Sequence, residues 1–137
     1  MGKYPLIYFV KKFCFILQMT NQREFIFVYN AKGGKLNYVI DTIHKYVSPS
    51  TYDCNLCQIT YDLKMKKAWK EFINDTPHLF KFFHLEELVD FGLEAYRNQL
   101  PICFEKIGNK YEVLINRDEM NAFKDEFELI NLINQKL

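Results

Sequence analysis

Residues 24–30, Glu-Phe-Ile-Phe-Val-Tyr-Asn, form an unbroken run of aromatic and β-branched side chains, the pattern of a strand covered on both faces and therefore central in a sheet. Ala31-Lys32-Gly33-Gly34 turns the chain. Leu36, Val39, Ile40, Ile43 and Val47 then recur at helical spacing, and Ser48-Pro49-Ser50 closes that helix because proline brings no amide hydrogen and disfavours helix just before it. A cysteine-bearing loop follows. Met65, Ala68, Trp69, Phe72 and Ile73 describe a second amphipathic helix, with Asp62 as its expected N-cap and Asn74-Asp75-Thr76-Pro77 as its end. His78–His84 carries Leu79, Phe80, Phe82 and Phe83, an aromatic run that reads as a second core strand. Leu85, Leu88 and Val89 start another helix, interrupted at Gly92.

Pro101–Lys106 and Lys110–Ile115 flank Ile107-Gly108-Asn109, a hairpin signal because Gly and Asn tolerate positive φ in tight turns. Asn116 with Glu119 and Asp125 with Glu128 have capping-box spacing, and Phe127, Ile130 and Ile133 mark the apolar face of a last helix. Strands alternating with helices and ending in an antiparallel hairpin predict an α/β fold with a mixed central sheet and helices on both faces.

At 137 residues, 49% apolar and 17% aromatic, the chain suits a single packed domain that does not need disulfide staples. The net charge of +1 gives no electrostatic case for nucleic acid and disfavours a membrane partner. Four cysteines, Cys14, Cys54, Cys57 and Cys103, are too sparse for a secreted disulfide framework, which points to the cytoplasm. The first stretch, apolar from Pro5 to Val10 and from Phe13 to Leu17, is split by Lys11-Lys12 into runs shorter than the roughly 20 residues a bilayer span needs. Met19 reads as an alternative translation start, which makes residues 1–18 an upstream extension dispensable for the fold and 19–137 the domain. A membrane-surface segment and an added edge strand are the other readings of the extension.

Chemistry concentrates at Cys54-Asn55-Leu56-Cys57. Two thiols at this spacing either close a short disulfide or fill two corners of a tetrahedral metal site. In the redox reading a helical turn starts at Asp53 or Cys54, Cys54 is the exposed nucleophile that attacks a disulfide or peroxide, and Cys57 resolves the product. Asp53 opposes thiolate formation, and no basic residue stands nearby in sequence, so His44 or His84 would have to supply the charge. The metal reading, a zinc site, draws on Cys54, Cys57, His44 and His84, with Cys103 better suited to the core. A third reading makes the pair structural, with an exposed apolar patch at Tyr52, Leu56 and Tyr61 for a protein partner. No cofactor is indicated, and the physiological partner, a protein or a small disulfide, is not named by the sequence.

The element order resembles that of the thioredoxin-like domains, strand, helix, strand, helix, hairpin, helix, over roughly residues 24–137. The resemblance implies a three-layer α/β/α arrangement with a C-terminal hairpin and helix. It also implies a cis Leu100-Pro101 peptide beside Cys54 that shapes a substrate groove, which adds Pro101 to Cys54 and Cys57 as a site residue. Here a helix separates the first strand from the cysteine pair, and Asn55-Leu56 stands where that family has Gly-Pro. Tyr29-Asn30-Ala31, Ser48-Pro49-Ser50-Thr51-Tyr52, Cys54-Asn55-Leu56-Cys57 and Thr60-Tyr61 are similar to a group of small uncharacterised bacterial proteins, some labelled GTPases. A phosphate-binding loop needs G-x-x-x-x-G-K-[ST]; Asn30–Leu36 lacks the first glycine and the hydroxyl, which disfavours nucleotide hydrolysis.

Overall fold

The computed structural model describes residues 6–34, 45–47 and 53–137. The helix predicted over 36–47 lies outside the described residues except for 45–47, which are helical. Among the described residues, four strands form one mixed sheet in the order β2-β1-β3-β4. Strand β1 (Glu24–Val28) pairs in parallel with β2 (Leu79–Phe83) and antiparallel with β3 (Ile102–Ile107), and β3 pairs antiparallel with β4 (Lys110–Ile115).

Side chains alternate across a strand, so β1 feeds two cores. Phe25, Phe27 and Tyr29 pack with Leu56, Trp69, Met120, Leu129 and Ile133, which come from helices α2 (Asn55–Thr60), α3 (Lys67–Asp75), α4 (Arg117–Ala122) and α5 (Glu126–Lys136). Ile26 and Val28 face the other way, onto Leu88, Leu93 and Leu100. Leu88 comes from the 3-10 segment Leu85–Phe91, and Leu93 and Leu100 flank a second one, Glu94–Gln99. The predicted double coverage of β1 is thus observed, with α-helices on one face and 3-10 turns on the other.

The hairpin forms as predicted, and Gly108 takes the positive φ of 60° that its turn requires. Leu100-Pro101 is cis, as the resemblance implies, and Gly92 ends its 3-10 segment in the left-handed region. Asn116 and Glu119 close a reciprocal capping box at 2.9 Å in each direction. Asp125 caps α5 by accepting from Phe127 and Glu128, but Glu128 reaches back to the amide of Lys124 at 2.8 Å, one residue before the cap.

Four expectations require correction. The run at 78–84 forms an edge strand, half-exposed along its length, because among the described residues β1 alone pairs with it. Asp62 does not cap α3: Tyr61 bridges Met65 and the Lys66 amide donates to Thr60, so a tight turn takes up Asp62 and the helix begins at Lys67 after Lys66. On α5 the buried face is Leu129 and Ile133, whereas Phe127 is 57% exposed, because the helix is rotated to place the i, i+4 pair on Trp69's side of the sheet. The cysteine segment, finally, is an α-helix from Asn55 rather than a loop. The N-terminal stretch forms helix α1 (Leu6–Thr20), so a boundary at residue 18 falls inside an element.

Arg23 locks the end of the sheet to the C-terminal helix. Its guanidinium donates to both Glu105 oxygens at 2.7 and 2.8 Å and to the Lys136 carbonyl at 2.6 Å, and it lies over the Phe25 ring at 5.1 Å. These hydrogen bonds hold the Glu105 carboxyl below its usual range despite partial burial. A depressed folded pKa means the stabilisation is complete above the unfolded carboxylate value of about 4.3 and is lost as pH falls through the lower folded value. Arg23→Ala should cost about 2 kcal/mol near neutral pH, and the gap to wild type should narrow as pH drops below about 4. Urea melts across a pH series check this, and a gap independent of pH would refute the assignment.

Candidate functional site

Asn30, two residues beyond β1, reaches across to the cysteine segment: its amide donates to the Asp53 carbonyl at 2.7 Å and to the Asp53 carboxylate at 2.9 Å. Arg117, the first residue of α4, sits 3.6 Å from the Asp53 carboxylate and donates to the Asn98 carbonyl at 3.2 Å. This bridge connects the approach to Cys54 with the approach to Pro101. Because Ile102 pairs with Val28, Pro101 enters the sheet at the end where β1 leaves it, the same end to which Asn30 holds Asp53. Pro101 is itself buried.

Cys54 is the N-cap of α2 and Cys57 lies in its first turn. Their sulfurs are at bonding distance, 2.22 Å, with Cα atoms 5.3 Å apart. Access to the two is unequal. Cys54 is 0% exposed and packs in the core with Ile115 and Met120, whereas Cys57 is only partly buried. A helix does start at the pair, as the redox reading expected, but the less buried cysteine is the second one.

The cause lies in how α2 is seated. Asn55, between the cysteines, donates to the Met120 and Phe123 carbonyls at 2.8 and 2.9 Å, filling acceptors that the end of α4 leaves open. Leu56 and Ile59 are buried beside it, so Cys54 is drawn inward and Cys57, one turn on, stands toward the rim. Leu56 therefore cannot form the exposed apolar patch expected with Tyr61, and Tyr52 lies outside the described residues. Thr60 donates to the Leu56 carbonyl at 2.5 Å. Burial first, and then neighbouring Tyr61, push the Tyr29 phenol far above its ordinary pKa, so this ring beside the helix is a neutral packing group, 6.3 Å from Tyr61.

Lys45 is the residue that sequence spacing missed. Its ammonium donates to the Tyr61 carbonyl, lies 3.5 Å from the Cys57 carbonyl and 3.9 Å from the Asp62 carboxylate, and burial lowers its pKa while Asp62 partly restores it. It is brought to the end of α2 by chain closure, which no local motif announces.

His84 caps the Leu85–Phe91 segment, its Nδ1 3.3 Å from Glu87, with its ring beside Tyr29. His44 lies outside the described residues. Among the described residues no group of three or more His, Cys, Asp or Glu is placed to hold a metal. Cys103 is fully buried, and burial pushes its thiol well up. The glycine turn after β1 is taken by a carboxylate of the chain itself: the Gly33 amide donates to Glu86 at 2.6 Å, and a Cβ at Gly33 would stand 2.9 Å from that oxygen.

No family model matches the chain, and neither a curated protein nor a solved structure matches it. The site's chemistry must therefore be read from its own geometry.

Of the free cysteines, Cys14 is exposed and Cys103 buried. Thiol titration of the oxidised protein should give one reactive thiol when native, two in denaturant, and all four after reduction. Finding more than two in denaturant without reductant would show that the Cys54–Cys57 bond is absent. Asn55→Ala, which strands two carbonyls, should lower stability by about 2 kcal/mol in a denaturant melt.

Proposed function

We propose that Cys54 and Cys57 form a reversible disulfide that exchanges two electrons with a disulfide-bearing protein or a small disulfide. The observation that carries the reading is the pair of sulfurs at bonding distance, one on a fully buried residue and the other on a partly buried one. A thioredoxin-like architecture is supported by the parallel strand pair, the hairpin led by Pro101, and the entry of Pro101 at the sheet end that holds Asp53.

Access sets the roles. In the reduced protein the Cys57 thiolate attacks one sulfur of the partner disulfide; the partner S–S bond breaks, one partner thiolate leaves, and a Cys57–partner disulfide forms. Cys54 then attacks the Cys57 sulfur, expelling the second partner thiolate and closing Cys54–Cys57. The partner gains two electrons, and the two protons shed by Cys54 and Cys57 pass to its thiolates. Relative to the order expected from the sequence, the nucleophile and the resolving thiol are exchanged, because Cys54 has no path to a bulky disulfide while folded.

In a Cys14→Ser background, reduced Cys54→Ser protein mixed with oxidised glutathione should capture glutathione on Cys57. Capture should be at least about tenfold faster than on Cys54 in Cys57→Ser, since exchange rate follows access. With both cysteines present the adduct should be transient and resolve to the internal disulfide, as read by mass. Equal capture rates would reverse the role assignment, and failure of the pair to oxidise in excess glutathione disulfide would overturn the redox function.

A further inference from the structure

Helix α1 carries apolar side chains that the rest of the described fold leaves uncovered. Leu6, Ile7, Phe9, Val10, Phe13 and Ile16 are between 48% and 79% exposed. At about 100° per residue they fall on one arc of roughly 180°, and Lys11 and Lys12, both exposed, stand at its two borders. No Asp or Glu precedes Glu24, while Lys3, Lys11, Lys12 and Arg23 do. The overall charge of +1 averages away a wholly basic end.

Length and charge decide what the arc fits. Fifteen residues at about 1.5 Å each make a rod of roughly 22 Å, short of the ~30 Å hydrocarbon core, and among the described residues no helix is long and apolar enough to cross a membrane. A second copy of the helix pressed against the same arc would set Lys11 and Lys12 against lysines, with no carboxylate on either helix to pair with them. An anionic lipid surface meets both needs, since acyl chains take the arc while phosphate and carboxylate headgroups take the ammoniums at its borders, reached by lysine stems that can snorkel.

We propose that α1 is an interfacial helix that lays its apolar arc into an anionic bilayer surface, with Lys11 and Lys12 at the headgroups. The test uses the full chain and sedimentation with vesicles of phosphatidylcholine alone or mixed with phosphatidylserine. Binding should favour the mixed vesicles and weaken as salt is raised. Lys11→Gln with Lys12→Gln should weaken it by roughly fivefold per ammonium, and Phe9→Ser with Phe13→Ser by more than about tenfold. Both double variants should keep the wild-type urea midpoint, because these side chains are exposed. Absence of binding to the mixed vesicles, or equal binding to both kinds, would overturn the proposal. So would a dimer in sedimentation that Phe9→Ser with Phe13→Ser dissociates while vesicles bind no protein, since a second copy would then be the occupant.

Discussion

Strand β1 buries consecutive side chains, Phe25 to Tyr29, on both of its faces, and its backbone amides and carbonyls must also be paired because no water reaches them. A strand in that position needs a neighbour on each edge and a layer on each face. Strand β2 supplies one edge in parallel and β3 the other in antiparallel register. The α-helices supply one layer and the 3-10 segments the other. The aromatic side is the heavier: Phe27 meets Trp69 edge-on at 5.5 Å and stacks with Phe82, so α3 and β2 are joined through rings that β1 presents. The cysteine helix rests on this same face, and its position is inherited from the strand.

Features encoded over a few residues were legible in the sequence. The apolar run of β1, the Gly108 turn and the Asn116–Glu119 box each depend on neighbours within a hairpin or a helical turn, and each is found where its pattern stands. What escaped was decided by distant contacts. The Phe80 and Phe82 run looks the same whether its strand is central or at an edge, because pairing partners are not written in the strand. Asp62 has the right chemistry for a cap, yet the hydrogen bond between Lys66 and Thr60 uses its neighbourhood for a turn. Phe127 belongs to the apolar set of α5, but the core takes Leu129 and Ile133, with Ile130 and Leu132 packed beside them, and leaves Phe127 exposed.

The candidate site divides in the same way. The cysteine spacing is plain in the sequence and sufficient to bring the sulfurs together. Which cysteine is the less buried depends on Asn55 gripping the end of α4, a contact 65 positions away, and the cation beside Cys57 is Lys45. Glu86 on the Gly33 amide follows the same logic, because a turn that resembles an anion cradle finds its anion within the chain. Polar side chains thus finish, over long sequence separations, an arrangement that apolar patterning only outlines.

Asn30 grips Asp53 from 23 positions away, so the chain leaves the end of β1, travels, and is handed back at almost the point of departure. The place of the cysteine helix is consequently defined by the two ends of that excursion and not by its length. Lengthening a closed loop adds only a slowly growing entropic cost. A change in the length of the intervening stretch therefore costs the seat of the cysteine helix little, provided the paired ends, Asn30 and Asp53, and Lys45 between them keep their partners.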